Sequence, residues 1–245
     1  MKCIYEQSAK VSATLTDTNV EMGLVQALSI VQDNMCEYFR AIQCDGLTMI
    51  PACNCFLVVT KTKIKLLNSL KWLDCFHVKS EISGKSKIRI NLCTDMVDES
   101  GKVFVLCNQE MCAMDATNRT LRMLNTTLVP DDLEITKECD MNFARMNFEM
   151  CEEDLVKVHK VDICNLDFYK HTNNVEYVRL MLSTMDLNFV TNNRIVDFEI
   201  HYMAESKFDD ELKIYRKIKD NEISFVIKNE ENIIVKALLN YEKII

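Results

Sequence analysis

The chain has 245 residues, of which 48% are hydrophobic and 27% are charged, and its formal net charge is −8. This composition is typical of a globular protein of one large or two ordinary domains. The acidic balance argues against non-specific nucleic-acid binding. No apolar run approaches the roughly 20 residues that cross a bilayer, and the N-terminus lacks the apolar stretch of a secretory signal. We therefore expect a cytoplasmic protein without nucleic-acid binding or membrane insertion.

Twelve cysteines are many for this length, but their spacing indicates no common site. The sequence contains no C-x-x-C pair, which argues against a structural zinc site. Most of the cysteines lie within apolar runs, as small buried residues do in a reducing compartment. The sequence predicts neither a metal nor a cofactor.

The first half of the chain predicts a strand, a long helix and several further strands. A strand over residues 9–15 precedes a capping box at Thr18 and Glu21. Apolar residues spaced by three and four then predict a helix to about Ile42. Strand-like segments follow at residues 55–67, 75–83, 87–95, 103–115 and 119–124, with turns at Gly84 and 98–101.

The second half predicts the same order of elements. A strand over residues 156–166 leads to a helix over 174–185, and strands follow at 194–205, 210–219, 222–228 and 233–241. Asn19-Val-Glu21 and Asn174-Val-Glu176 are placed at equivalent positions of the two helix starts. The polar, acidic residues 131–154 between the halves predict a linker, partly helical.

Residues 165–177 carry the clearest functional pattern. Asp167, Tyr169 and His171 alternate, so in an extended segment their side chains project to one side. Asn173 or Asn174 is a good N-cap for the helix that follows. Polar side chains would then gather at a helix N-terminus, where the dipole favours developing negative charge.

These residues resemble the Asp-x-Asp-x-x-Gly/Gln-His-x-Asn-Asn-x-x-Tyr motif of hotdog-fold thioesterases, and most closely the acyl-acyl-carrier-protein (acyl-ACP) thioesterase family of plants and bacteria. Residues 200–206 resemble that family's Tyr-x-x-Glu-Cys/Ser strand. Segments 45–51, 71–74 and 108–124 are similar to family segments in the same order. The resemblance extends over nearly the whole chain.

The resemblance implies an α+β fold of two tandem hotdog domains, each a long helix wrapped by an antiparallel sheet. Residues 1–130 would form a non-catalytic N-terminal hotdog that shapes the acyl-chain site, and 131–154 a linker. Residues 155–245 would form the C-terminal hotdog with the catalytic residues. The two sheets would join edge to edge as a pseudo-dimer, so that the protein is a monomer or a homodimer.

The same resemblance implies hydrolysis of acyl-ACP to free fatty acid, with water as the second substrate and no cofactor. By position, the catalytic residues are Asp167, His171 and Glu205. Glu205 or His171 would activate water, and Asp167 would orient them or share that role. Ser206 stands where the family often has Cys, so no cysteine nucleophile is supported. Tyr169 stands where the plant enzymes have Asn.

Tyr169, Asn174 and Ser206 are therefore candidates for a catalytic or pocket-lining role. A phenol places its hydroxyl several ångströms further from the backbone than an amide does. Tyr169 would either donate to the thioester carbonyl or line the pocket. Tyr177, one turn into the helix, is expected to belong to the core.

Two sets of alternating cations suggest a surface for an acidic carrier protein. They are Lys61, Lys63 and Lys65, and Lys85, Lys87 and Arg89. Each set is predicted to lie on one face of a strand. A solvated outer face is the plainer interpretation of both sets.

Two other functions fit the same sequence. An acyl-CoA thioesterase would need basic groups for the nucleotide phosphates. A non-catalytic acyl-binding hotdog protein is suggested by Tyr169, because it replaces a polar amide in the motif.

Overall fold

The computed structural model describes residues 1–244. The chain divides into two compact units, Met1–Asn142 and Phe143–Ile245. The division falls inside the segment 131–154. The sequence predicts a partly helical linker there. Among the described residues of that segment, only the 3-10 turn Glu152–Asp154 is helical.

The first unit contains two helices and an antiparallel sheet. The helices are α1 (Leu24–Ala41) and α2 (Gly46–Cys53). The strands are β1 (Ile4–Lys10), β2 (Cys55–Leu66), β3 (Cys75–Lys85), β4 (Arg89–Val97), β5 (Val103–Asp115) and β6 (Leu121–Arg122). The strand order is β1-β3-β4-β5-β2, and β6 pairs with β5.

Helix α1 follows the predicted apolar stripe and ends one residue before Ile42. Leu28, Val31 and Phe39 are buried on its inner face, which packs against β1, β3 and β4. Burying an aliphatic or aromatic side chain contributes about 1.5–3 kcal/mol, so this stripe is a main source of stability for the unit.

The predicted start of α1 is wrong. The helix begins at Leu24 behind Gly23, whereas the expected capping box began at Thr18. Residues 17–21 instead form a tight turn, in which Val20 has a φ of 61°. The Asp17 amide donates to the Glu21 carbonyl at 2.7 Å. Because these residues form the turn, they are not part of the helix.

The second unit contains two short helices and a five-stranded antiparallel sheet. The helices are α3 (Asn174–Leu182) and α4 (Leu187–Asn192). The strands are β7 (Leu155–Lys160), β8 (Asn193–Tyr202), β9 (Glu211–Lys219), β10 (Glu222–Lys228) and β11 (Ile233–Lys243). Their order is β7-β9-β10-β11-β8.

The two units repeat one topology. In each unit's own sheet, the first strand lies at one edge, the second at the other, and the next three fill the middle in chain order. A 3-10 turn follows the first strand in both, at Ala13–Leu15 and Ile163–Asn165. These turns end the first strand at Lys10 and Lys160, before the predicted ends at 15 and 166. In the first unit the strand also begins at Ile4, earlier than the predicted residue 9.

The offset in residue number between equivalent positions of the two units differs from the one predicted from the sequence. Leu24 and Asn174 each begin the helix of their unit, so residues 150 apart are equivalent here. Asn19 therefore corresponds to Tyr169, and the predicted equivalence of Asn19 with Asn174 is wrong. Across residues 1–244, no helix combines the length and apolar character needed to span a membrane.

Candidate active site

The alternating residues before α3 form a tight turn rather than a straight strand. The Asp167 amide donates to the His171 carbonyl at 2.8 Å, and the Lys170 amide donates to the Asp167 carbonyl at 3.0 Å. Lys170 has a φ of 65°, in the left-handed region that closes the turn. The turn places Asp167 and His171 at opposite ends of a short hairpin.

The Asp167 side chain holds this turn together. Its Oδ1 accepts from the backbone amides of Tyr169 at 2.8 Å and of His171 at 3.1 Å. Two amide donors fix the orientation of this carboxylate. Asp167 thus shapes the backbone on which His171 lies and does not cap α3.

Asn173 is the N-cap of α3. Its Oδ1 accepts from the amide of Val175 at 2.9 Å. Asn174 is the first helical residue, and its carbonyl accepts from the Tyr202 hydroxyl at 3.4 Å. Of the two asparagines that fitted the pattern, the structure therefore assigns the capping role to Asn173.

His171 and Glu205 come together across 34 residues of sequence. The Nε2 atom of His171 lies 3.5 Å from Oε2 of Glu205. The side chains are 14% and 37% exposed, respectively. Backbone pairing of His171 with Lys207, and donation from the Thr172 amide to the Ser206 carbonyl at 2.9 Å, align the two segments. A solvent-accessible carboxylate beside an imidazole can take a proton from water.

Tyr169 lies beside this pair in sequence but faces an apolar neighbour. Its ring centroid is 4.2 Å from that of Phe168. Phe168 is exposed and Tyr169 is half-buried. Two adjacent aromatic rings at a turn are suited to contact an apolar substrate group.

Ser206 is fully buried and hydrogen-bonded. Its Oγ lies 2.7 Å from Oγ1 of Thr172 and 2.8 Å from the Tyr177 hydroxyl. Burial raises the pKa of Tyr177, so the phenol stays protonated at neutral pH. Thr172 was not singled out from the sequence, and Tyr177 was assigned only to the core. The Tyr in the resembled motif was the one indication of its polar role.

The equivalent turn of the first unit has different chemistry. Asp17 Oδ1 accepts from the Asn19 amide at 2.8 Å, which repeats the Asp167 interaction. Glu21 stands where the second unit has His171, and its Oε2 accepts from the Ser69 hydroxyl at 2.5 Å. This turn therefore contains no imidazole.

The basic residues fall into different surroundings. Lys61, Lys63 and Lys65 alternate along β2 with buried Thr62 and Ile64, as predicted. The other set does not lie on one strand, which corrects that prediction. Lys85 ends β3, Arg89 begins β4, and Lys87 lies in the turn between them.

Several of these cations already have partners. Lys61 and Arg89 pair with Glu110 at 3.2 and 2.9 Å. The Lys85 ammonium donates to the carbonyls of Pro130 and Asp131. Lys87 is exposed, as is Arg89, but Arg89 is paired with Glu110 and Lys85 with the two carbonyls.

Among the described residues, no group of three or more His, Cys, Asp or Glu side chains is arranged to hold a metal ion. The candidate site brings together Asp167, His171 and Glu205, with Tyr169 on the same turn and Ser206 next to Glu205 in the chain. A carboxylate beside an imidazole is suited to exchange protons with water.

Comparison with known proteins gives a family match in the second unit. The family model of the acyl-ACP thioesterase C-terminal domain matches residues 148–243. No curated protein matches the sequence. The match confirms the predicted resemblance and, with it, the class of enzyme, a thioester hydrolase.

Solved structures share the fold of the whole chain. An acyl-ACP thioesterase from Bacteroides thetaiotaomicron superposes with a TM-score of 0.87 at 16% identity, covering 98% of each chain. The 12:0-ACP thioesterase from Umbellularia californica gives 0.80 at 14% identity, also covering 98% of each chain. At these identities the likeness establishes the fold, which confirms the predicted α+β double hotdog.

Proposed function

We propose that this chain, whose residues 148–243 match the acyl-ACP thioesterase C-terminal domain model, hydrolyses acyl-ACP to free fatty acid and ACP in fatty acid biosynthesis. The observation that carries the proposal is the pair of His171 and Glu205 within the matched region, 3.5 Å apart, with His171 on the turn that Asp167 holds. No cofactor is required, because water is the second substrate.

The proposed reaction begins with water activation. Glu205 is the more exposed member of the pair, so its carboxylate takes a proton from a water molecule while His171 holds that carboxylate in place. The resulting hydroxide attacks the thioester carbonyl and forms a tetrahedral oxyanion. Collapse of this intermediate breaks the carbon–sulfur bond, and the proton held at the pair is transferred to the leaving thiolate.

The surroundings of the pair support the charged intermediate. His171 lies just before α3, and the positive end of a helix dipole stabilises negative charge near the first turn. Asp167 acts through the backbone of the turn by accepting the His171 amide. We propose that Asp167 is a positioning residue and that the rings of Tyr169 and Phe168 contact the acyl group.

The first unit is proposed to shape the acyl-chain site without catalysing the reaction. Its equivalent turn has Glu21 in place of His171, and the Glu21 carboxylate is hydrogen-bonded to Ser69. A carboxylate bonded to a hydroxyl lacks the imidazole partner on which the proposed mechanism depends. The domain boundaries 1–130, 131–154 and 155–245 remain part of this proposal.

The carrier protein is the proposed partner. The chain is acidic overall, so an acidic carrier would require a local basic surface. Lys87 is exposed and is the first candidate for that surface. A cytoplasmic location and a monomeric or homodimeric state remain predictions.

The test compares acyl-ACPs of increasing chain length with matched acyl-CoAs. We expect kcat/KM to be higher for ACP substrates and to reach a maximum at one chain length. Equal or higher kcat/KM for acyl-CoA would instead support an acyl-CoA thioesterase. Acyl binding by folded protein without turnover would support an acyl-binding hotdog protein.

A further inference from the structure

We propose that Ser206, Tyr177 and Thr172, here named the Ser206 cluster, position His171 and Glu205 for catalysis. The inference rests on the proposed function, because it assigns roles in that reaction. The three residues do not touch the substrate in this proposal. They act by fixing the two segments that carry the catalytic side chains.

The cluster is closed and buried. Ser206 Oγ lies 2.7 Å from Thr172 Oγ1 and 2.8 Å from the Tyr177 hydroxyl. The Ser206 amide also donates to the Tyr177 oxygen at 3.3 Å. Ser206 is 0% exposed, so its hydroxyl is held within the protein rather than offered to a substrate.

The cluster lies directly behind the catalytic pair. Thr172 follows His171 in the chain, and Ser206 follows Glu205. The side-chain bond between Thr172 and Ser206 adds to the backbone bond from the Thr172 amide to the Ser206 carbonyl, 2.9 Å. Both catalytic residues are thus one peptide unit away from the same cross-link.

Tyr177 fastens this cross-link to the helix. It lies in the first turn of α3 and is buried, and its hydroxyl reaches Ser206 from the helix side. Because a misplacement of about 1 Å can lower a rate by on the order of 100-fold, a link among both segments and the helix bears directly on catalysis.

The first unit provides an internal comparison. Its Met22 amide donates to the Leu70 carbonyl at 2.8 Å, as the Thr172 amide does to Ser206. Ala27 occupies the helical position of Tyr177, because Leu24 and Asn174 both begin helices. The three equivalent positions are therefore Met22, Leu70 and Ala27, all apolar.

The comparison indicates that the buried hydroxyls serve catalysis and are not needed for this backbone arrangement to form. The same backbone arrangement forms in the first unit with an apolar set, of which Leu70 and Ala27 are buried. Buried hydroxyls cost free energy unless they are hydrogen-bonded. The Ser206 cluster occurs in the unit that carries His171 and Glu205. The equivalent apolar residues occur in the unit where Glu21 replaces the histidine.

The test uses Tyr177→Phe and Ser206→Ala, with Tyr215→Phe as the matched control. Tyr215 is a buried tyrosine of the same unit whose hydroxyl bonds Glu152 at 3.2 Å, away from the pair. We expect both cluster variants to lower kcat about 10- to 100-fold with little change in KM. Ser206→Cys, which retains a weak donor and acceptor, should recover part of kcat. Tyr215→Phe should lose stability but keep kcat.

A second readout does not depend on turnover. The chain has four histidines, so the His171 imidazole signals can be assigned by NMR from single substitutions. We expect these signals to shift in Tyr177→Phe and to stay in place in Tyr215→Phe. Wild-type kcat together with unmoved His171 signals in both cluster variants would overturn the proposal. Shifted signals in a protein without hydrolysis would retain the positioning role and refute the proposed function.

Discussion

The imidazole of His171 and the carboxylate of Glu205 face each other at 3.5 Å, although they lie on separate segments of the second unit. The pair forms because the turn at Asp167 and the strand-like pairing of residues 171–172 with 206–207 bring the segments side by side. Because Glu205 and His171 are in contact, we expect them to act together in catalysis.

This predicts that substitutions of the pair are not additive. Glu205→Gln and His171→Ala should each lower kcat by about 10²- to 10⁴-fold, because each removes a proton-transfer group. The kcat of the double variant should be only slightly lower than that of the less active single variant. If the two residues act together, removing either one already removes their shared function. Steady-state kcat of the four proteins gives the result. Losses that multiply would show that the residues act independently.

Asp167 should tolerate Asn much better than Ala. An Asn side chain retains an oxygen that can accept the amides of Tyr169 and His171, whereas Ala leaves both without that partner. We expect Asp167→Asn to keep kcat within about tenfold and Asp167→Ala to lose about 1–3 kcal/mol of unfolding free energy.

The matched control is Asp17→Ala, which opens the equivalent turn of the first unit. It should lower the unfolding free energy in chemical denaturation without an effect on proton transfer. A loss of about 100-fold or more in kcat for Asp167→Asn would mean that the carboxylate itself takes part in proton transfer.

Charge reversal at Lys87 should weaken carrier-protein binding. Lys87→Glu places a negative charge on an exposed turn, and like charges reduce the rate of encounter with an acidic partner. KM for acyl-ACP should rise several-fold and fall back at high salt, while KM for a small thioester stays unchanged. Lys219→Glu, the same change on an exposed residue that ends β9, is the control. Equal effects of both variants would refute a docking role for Lys87.

Cys139 should be the most reactive thiol near neutral pH. A hydrogen bond from the Cys93 thiol, a backbone hydrogen bond from Met141 and the charge of Lys137 lower the pKa of Cys139 to about 6. The thiolate is the nucleophile, so iodoacetamide should label Cys139 first at pH 7. Peptide mapping by mass spectrometry would measure this. Cys36 is the comparison, because partial desolvation and the nearby carboxylates of Asp33 and Glu37 raise its pKa to about 11.

The sign of this shift also gives a pH dependence. The pKa of Cys139 is lower in the folded state than the usual value for a thiol, so ionisation of Cys139 favours folding at high pH. That contribution is lost as the pH falls through about 6. Labelling of Cys139 no faster than that of Cys36 at pH 7 would contradict the assignment.

Periodic elements were predictable from the sequence, and irregular ones were not. The stripe of α1 and the alternation along β2 depend on residues close in the chain. Helix α2 was missed because it has eight residues, is apolar on most sides and contains Pro51. It forms because Asp45 caps it by accepting from the Thr48 amide at 3.1 Å.

The sequence offers the candidate residues of the site but not the contacts between them. The motif pointed to Asp167, His171 and Glu205, yet the contact of Ser206 with Tyr177 joins residues 29 apart. A pattern among neighbouring residues of the sequence cannot predict a contact over this separation. The register of the repeat was likewise hidden, because Asn19 and Tyr169 share a place in a turn without sharing chemistry.

The most direct measurement is mass-spectrometric detection of free fatty acid from acyl-ACP, with wild-type protein and His171→Ala at equal folded concentration. We expect the wild type to release fatty acid in equimolar amount with ACP thiol, and His171→Ala to lose this release. Release that persists unchanged in His171→Ala, or an absence of release by the folded wild type, would contradict it.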